Sequence, residues 1–546
     1  MRLALGLLST LATSVGAHAQ ELRPWTRDIG GAAVGAAVAV EGLFGLVGAP
    51  GEPVAGADDC GVVHFLTRAS MDEDWIIHPT PILPPPPAAL AYARFGEALA
   101  TDGEWIAVGA PFVDTPGADD AGAAFLYRRS STGVDFVTRL MPALPEAEDD
   151  HFGAAVDVAG ALAIVGIPFD DNGGDNAGRA TVYTLSGAGS GSAIEQDMLL
   201  PPDLTSGDGL GAAVAVGDGW LLVGAPGQEG GGAVYVYELV VGSGWLPTAK
   251  LPVVGLTSSA EFGFAIDVHG ARALVGAPGM EAAFVFERSG AGAWTLLDQL
   301  DSVSCNYSRF GAAVSLDPER AAIGAPKDSA VVVFHLNTPT TWKASERFQM
   351  ELSIEFGASV ALSDERLLAG APSASEPAPY CGMVQLIDNW FFLRGYGYGS
   401  CGACPCGNDA PYRGCRNSTT VGATLRAEGS ASISLDALVL RTSDLPVGRS
   451  CRVIMGDGAM WTPVGSGRRA VKLGSEGFAR LGLGVSDGAG EFAYGPSIGA
   501  SSSSFAALAS VGESWNFQTW YRDPISPCGP TKPVNFSNAV AVTFAP

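Results

Sequence analysis

The chain has 546 residues, 47% hydrophobic and 16% charged, which excludes a disordered polypeptide and leaves room for two or more domains. Its formal net charge of −26, from 31 Lys and Arg against 57 Asp and Glu, excludes nucleic acid as a natural partner and argues against electrostatic attachment to anionic lipid. The 73 glycines, about twice the usual share, announce a chain of many tight turns.

Residues 1–19 read as a secretory signal peptide. Arg2 supplies the positive start, Leu3 to Val15 the apolar run, and Ala17-His18-Ala19 a small-residue cleavage site before Gln20. The run falls short of the roughly 20 apolar residues of a membrane-spanning helix, and no later stretch reaches that length. The expectation is a secreted, extracellular or cell-surface protein without a membrane span. Residues 20–28 then lead in and could lend a strand to the last unit of the array that follows.

From about residue 29 a unit recurs. Its clearest copy is Gly211 to Pro226, GAAVAVGDGWLLVGAP. Alternating small and β-branched residues predict a strand from Ala212 to Val216. Gly217-Asp218-Gly219 predicts a tight turn, and Trp220 to Val223 a second strand. Gly224-Ala225-Pro226 stops that strand, because Pro226 has no N–H to donate. Gly232 to Tyr237 and Trp245 to Leu251 complete four strands.

The first glycine of the Gly-Ala-Pro position falls at Gly48, Gly109, Gly166, Gly224, Gly276, Gly324 and Gly370, with spacings of 61, 57, 58, 52, 48 and 46 residues. Gly166-Ile167-Pro168 is the one variant of the triplet. Five units open with Phe-Gly: Phe95-Gly96, Phe152-Gly153, Phe262-Gly263, Phe310-Gly311 and Phe356-Gly357. Leu210-Gly211 and Val34-Gly35 stand at the same place in the other two. Four strands in a period near 50 residues point to a β-propeller. With these motifs, residues 29–392 resemble the FG-GAP repeat family, whose best-known members are the integrin α-subunit heads. The resemblance implies an all-β, seven-bladed propeller over residues 20–392, and binding at the cell surface or in the extracellular matrix.

The last unit already offers four strands of its own, ending at Trp390-Phe391-Phe392, so the way the ring closes stays open. Pro84 to Pro87 reads as a stiff spacer between the first two units. Trp75, Trp245, Trp294, Trp342 and Trp390 open fourth strands in phase, which reads as packing on the outer rim, with sugar stacking as the other use of such aromatics.

Composition changes at GYGSCGACPCG. Residues 393–400 are expected to be a linker and 401–546 a disulfide-containing β-sandwich. Cys404-Pro405-Cys406-Gly407-Asn408-Asp409, Gly414-Cys415-Arg416-Asn417-Ser418, Trp520-Tyr521-Arg522-Asp523-Pro524 and Asn535-Phe536-Ser537-Asn538-Ala539 resemble a C-terminal module of large secreted bacterial repeat proteins. That module carries no assigned activity; attachment to the cell envelope is one role for it. Export favours disulfides over zinc for the dense Cys401, Cys404, Cys406 and Cys415, with Cys406–Cys415 and Cys451–Cys528 as candidate pairs.

Candidate chemistry is sparse. The integrin relatives bind Ca²⁺ in widened Asp-rich hairpins before Gly-Ala-Pro; the hairpins here are too short to offer six or seven oxygens. The loop after Gly166-Ile167-Pro168 offers Asp170, Asp171, Asn172 and Asp175 as weak Ca²⁺ ligands, although the same residue types are ordinary turn formers. Gly484-Val485-Ser486-Asp487-Gly488 has the spacing of a hydrolase elbow, but no histidine follows it. No catalytic constellation emerges. The expectation is a non-catalytic binding or adhesion protein whose loop face carries Asp58, Asp59, Asp114, Asp119, Asp120, Asp170, Asp171 and Asp175. Its partner would be an extracellular protein or glycan. The alternatives are a polysaccharide-acting enzyme on the same scaffold and a structural envelope or matrix component.

Overall fold

The computed structural model describes residues 23–26, 29–69, 75–85, 91–130, 133–144, 147–186, 192–302, 307–350, 354–363, 366–375, 380–388, 393–396, 417–419, 423–428, 438–456, 459–464, 467–471, 478–496, 498, 514–523 and 534–543. Among these, regular structure is almost wholly β, with two single-turn 3₁₀ segments at Pro278–Met280 and Pro326–Asp328.

Among the described residues, seven four-stranded antiparallel sheets follow one another between residues 23 and 388. The unit read at Gly211 folds as Ala213–Val216, Trp220–Ala225, Ala233–Val240 and Gly244–Lys250, paired in that order. Strand two runs through Gly224-Ala225 and ends only at Pro226, because it is the missing N–H that stops pairing. The first strands of neighbouring sheets lie side by side, so they form the inside of a ring and the fourth strands its rim. The architecture is a β-propeller.

The repeated motifs are explained by the junctions between sheets. The first glycine of each Gly-Ala-Pro position lies against the carbonyl of the Phe-Gly glycine of the next sheet. The pairs are Gly48 with Gly96, Gly109 with Gly153, Gly166 with Gly211, Gly224 with Gly263, Gly276 with Gly311, and Gly324 with Gly357. A Cβ at any of the first members would overlap that oxygen, so a side chain is excluded by backbone contact alone. The preceding aromatic is buried in every case: Phe95, Phe152, Phe262, Phe310 and Phe356, with Leu210 and Val34 in the same place. Each apolar core is shared between two adjacent sheets. One example joins Ile164, Val182 and Leu199 of the third sheet to Val214, Val223 and Tyr235 of the fourth. No sheet buries both faces by itself, which is why the repeats fold as an array.

The seventh junction has the same geometry. Gly370 lies against the carbonyl of Gly35. Val34 bridges Gly382 in parallel, as Phe152 bridges Gly122. Ala361, Leu368 and Val384 share a core with Val34, Val38 and Val47. The ring is therefore closed. The strand completing the last sheet is Arg23–Thr26, paired antiparallel with Met383–Asp388. The fourth strand expected at Trp390-Phe391-Phe392 lies outside the described residues. The leading segment thus holds the end of the ring to its beginning. Leu393–Tyr396, read from the sequence as linker, pairs with Val534–Thr543 in the C-terminal sheet.

Carboxylates latch neighbouring sheets. On the inner strands Asp157 accepts from the Val216 N–H at 2.7 Å, and Asp267 from Leu316 N–H at 2.6 Å. On the outer strands Asp197 and Asp298 accept from the N–H of Trp245 and Trp342, both at 2.7 Å. Trp245, Trp294 and Trp342 are buried in inter-sheet cores, which supports the packing reading. Trp390 lies outside the described residues.

Burial pushes Asp157 up from 3.8 to about 7, against the hydrogen bonds from Val216 and Val158; Asp267 and Asp102 add repulsion. A raised carboxyl contributes stability that is full below pH 4 and is lost as pH rises through 7. Asp157 keeps partial solvent contact at the ring's inner surface, so the effect stays below the ~4 kcal/mol that full burial would give. The thermal midpoint of Asp157→Asn should fall less between pH 5 and pH 8 than that of the parent chain. Parallel melting curves at the two pH values would contradict this.

The C-terminal domain places a five-stranded sheet, ordered Leu393–Tyr396, Val534–Thr543, Ser514–Arg522, Ser450–Gly456 and Phe478–Val485, against a three-stranded sheet of Thr424–Glu428, Val439–Ser443 and Phe492–Tyr494. Leu425, Leu440, Val453, Met455, Trp515 and Phe517 fill the core. Its sequence motifs lock the fold together. Asn417 Nδ2 donates to Tyr521 Oη at 3.2 Å, the Ser418 N–H donates to the Asp523 carboxylate at 3.1 Å, and the Thr519 N–H donates to Ser537 Oγ at 3.0 Å.

Candidate binding face

Loops between strands two and three, and links between successive sheets, emerge on one face of the ring. Pro111 and Pro168 end second strands there and launch two acidic loops. In the second sheet Asp114 Oδ1 accepts from the Asp120 N–H at 3.0 Å. In the third, Asp171 Oδ1 accepts from the Asn176 N–H at 2.8 Å. These side chains set loop shape.

Each loop is fixed to the following link by the same backbone bonds. Tyr92 and Arg94 N–H donate to the carbonyls of Asp58 and Asp59, Asp149 and His151 to Asp119 and Asp120, and Gly207 and Gly209 to Asp175 and Asn176. One scaffold thus presents different triplets at three junctions: Asp59, Tyr92 and Arg94; Asp120, Asp149 and His151; Asn176, Gly207 and Gly209. Asp120, Asp149 and His151 all have positive φ, of 50°, 64° and 57°.

The junction of the second and third sheets carries an aromatic strip. The Arg94 guanidinium lies over Phe112, 5.3 Å from the ring centre. Phe112 is 4.6 Å from the His151 ring, and His151 meets Phe169 edge to face at 5.0 Å. Phe169 is 43% exposed. Asp114, Asp119 and Asp149 stand exposed around the strip. Burial holds the His151 imidazole below its ordinary value, against the pull of Asp120, Asp149 and Asp150. Burial also raises Asp120, and repulsion from Asp114, Asp149 and Asp119 adds to it.

The expected calcium residues are not brought together around one point. Asp170 turns inward and is buried; its Oδ2 accepts from Arg179 Nε at 2.6 Å and from Asn172 Nδ2 at 2.9 Å. A guanidinium already fills the place of a cation there, so Asp170 belongs to the loop's interior and not to the acidic face. Asp171, Asn172 and Asp175 are exposed. Two of the hairpins between first and second strands are closed by their own carboxylates: Asp102 accepts from Glu104 and Trp105 N–H, and Asp317 pairs with Arg320 at 2.7 Å. They do not fit the Ca²⁺ loop of the integrin relatives. Among the described residues, the metal-ligating side chains that do converge are Asp120, Asp149 and His151.

Ser486 is buried at a turn, where its Oγ donates to the Pro446 carbonyl at 2.6 Å and accepts from the Arg449 N–H at 2.9 Å. Both bonds hold a loop, as a turn residue does. Cys451 is buried, its Sγ donating to the Arg449 carbonyl at 3.1 Å. Cys406, Cys415 and Cys528 lie outside the described residues.

Phe112, Asp149, His151 and Phe169 escape a reading that scores loops by acidity. Two local signals mark them. Only the second and third units place Phe directly after the proline of the Gly-Ala-Pro position, and only the third has His before Phe-Gly.

Among known proteins, the FG-GAP repeat family matches residues 86–127, 143–183 and 194–237. No curated protein matches the chain. The fold is similar to that of a protein from Lactobacillus plantarum, at 12% identity and a TM-score of 0.42 over 57% of this chain and 85% of the other. It is similar to a putative 6-phosphogluconolactonase from Bacteroides uniformis, at 9% identity and a TM-score of 0.42 over 58% and 85%. It is also similar to a functionally unknown protein from Desulfotomaculum acetoxidans, at 13% identity and a TM-score of 0.39 over 57% and 86%. With the repeat matched at three places in sequence, and its glycine contact repeated at every junction of the ring, the chain carries FG-GAP repeats and folds as a β-propeller.

Proposed function

We propose that the protein is a secreted or cell-surface binding module without catalysis of its own, which takes an extracellular protein or glycan on the loop face at the second and third sheets. The observation that supports this reading is the Phe112–His151–Phe169 strip, partly exposed amid the carboxylates of Asp114, Asp119 and Asp149. Aromatic rings give contact area at low entropic cost, and a rim of carboxylates selects cationic partners. Variable loops on a rigid ring suit such a role. The extracellular address rests on the leader pattern of residues 1–19.

The full chain is expected to be retained on intact cells or cell envelopes, with retention weakening as salt rises. Phe112→Ala with Phe169→Ala should reduce retention about tenfold while leaving the melting curve within 2 °C of the parent. Salt-independent retention would remove the electrostatic part of the proposal, and unchanged retention in the double variant would move the site elsewhere.

A further inference from the structure

We propose that Asp120, Asp149 and His151 form a binding site for a divalent transition-metal ion of the zinc type. Their ligand atoms lie within 4.8 Å of one another, close enough for small side-chain rotations to bring all three around one centre at the ~2.0–2.2 Å of zinc bonds. The imidazole is already placed. Phe112 packs against it at 4.6 Å and Phe169 at 5.0 Å, while neither ring nitrogen has a hydrogen-bond partner among the described residues.

The ligand set decides the class of ion. One imidazole and two carboxylates suit zinc and its neighbours, whereas Ca²⁺ takes six to eight oxygens, which this cluster does not offer. Two carboxylates balance the charge of the ion. Asp149 stands exposed, so the fourth position faces solvent, open to water or to a donor from a bound molecule. The loop does not need these side chains to fold. The preceding junction keeps the same backbone bonds with Asp59, Tyr92 and Arg94, and the following one with Asn176, Gly207 and Gly209.

The test is calorimetric titration of the full chain with Zn²⁺ at neutral pH, in the presence and absence of excess Ca²⁺. The parent should bind one equivalent that His151→Gln lacks and Asp149→Asn holds at least tenfold more weakly, and excess Ca²⁺ should not displace it. Zn²⁺ should raise the thermal midpoint of the parent and not of the variants. Zinc taken up elsewhere, on cysteine sulfur above all, remains in the variants and cancels in the comparison. If His151→Gln unfolds the chain, the exposed Asp149→Asn decides. Isotherms identical in parent and Asp149→Asn, or displacement by Ca²⁺, would overturn the site. The outcome is independent of retention on cells.

Discussion

Gly224→Ala is expected to destabilise the propeller by at least about 3 kcal/mol, or to prevent folding, although it adds one methyl group. The new Cβ would meet the carbonyl oxygen and carbon of Gly263 and that residue's Cα, all backbone, where no side-chain rotation relieves the overlap. The core is shared by two sheets, so moving one away uncovers Val214, Val223 and Tyr235. Gly370→Ala should cost as much, because Gly370 meets Gly35 in the same way where the ring closes. Gly290→Ala, with open space around it, is the control and should melt with the parent. Thermal or urea melts of the three variants decide the matter. A benign Gly370→Ala beside a damaging Gly224→Ala would mean that the ring is not closed between first and last sheets.

Asp170→Ala is expected to cost about 3–5 kcal/mol. Arg179 is fully buried and Asp170 nearly so, and their 2.6 Å ion pair sits beneath an exposed loop. Removing the carboxylate takes the 2.6 Å counter-charge from a buried guanidinium, and also frees the Asn172 N–H and side-chain amide that Asp170 accepts. Asp171→Ala, one residue away and exposed, loses a single loop bond to the Asn176 N–H and should shift the midpoint little. Equal melting of the two variants would contradict the placement of Asp170. A strong rise of the midpoint with Ca²⁺, abolished by Asp171→Ala, would restore the calcium reading of that loop.

The propeller was legible because its motifs answer to backbone sterics. A glycine that must touch a carbonyl recurs at fixed places in every unit, and so does the aromatic or branched residue that fills the next core. Closure was legible only as one of two options. Arg23–Thr26 carries no local sign that its partner is Met383–Asp388, because ring geometry sets that pairing across most of the chain. Leu393–Tyr396 is too short to show alternation, and its partner lies near the other end of the C-terminal domain. The candidate face was half legible. Loop acidity pointed to Asp114, Asp119 and Asp120, but composition cannot separate an exposed Asp171 from an inward Asp170 whose partner is Arg179. The strip of Phe112, His151 and Phe169 joins three segments that meet only when two sheets stand side by side.

Binding at the loop face of the second and third sheets, as proposed, has a direct consequence for retention on envelopes. The measurement that tests it most directly compares retention of the full chain and of its Phe112→Ala, Phe169→Ala double variant on cell envelopes across a salt series. The parent should be retained, more weakly as salt rises, and the variant, folded to the same midpoint, should be held about tenfold less. Equal retention of the two proteins, or no retention of the parent at low salt, would contradict it.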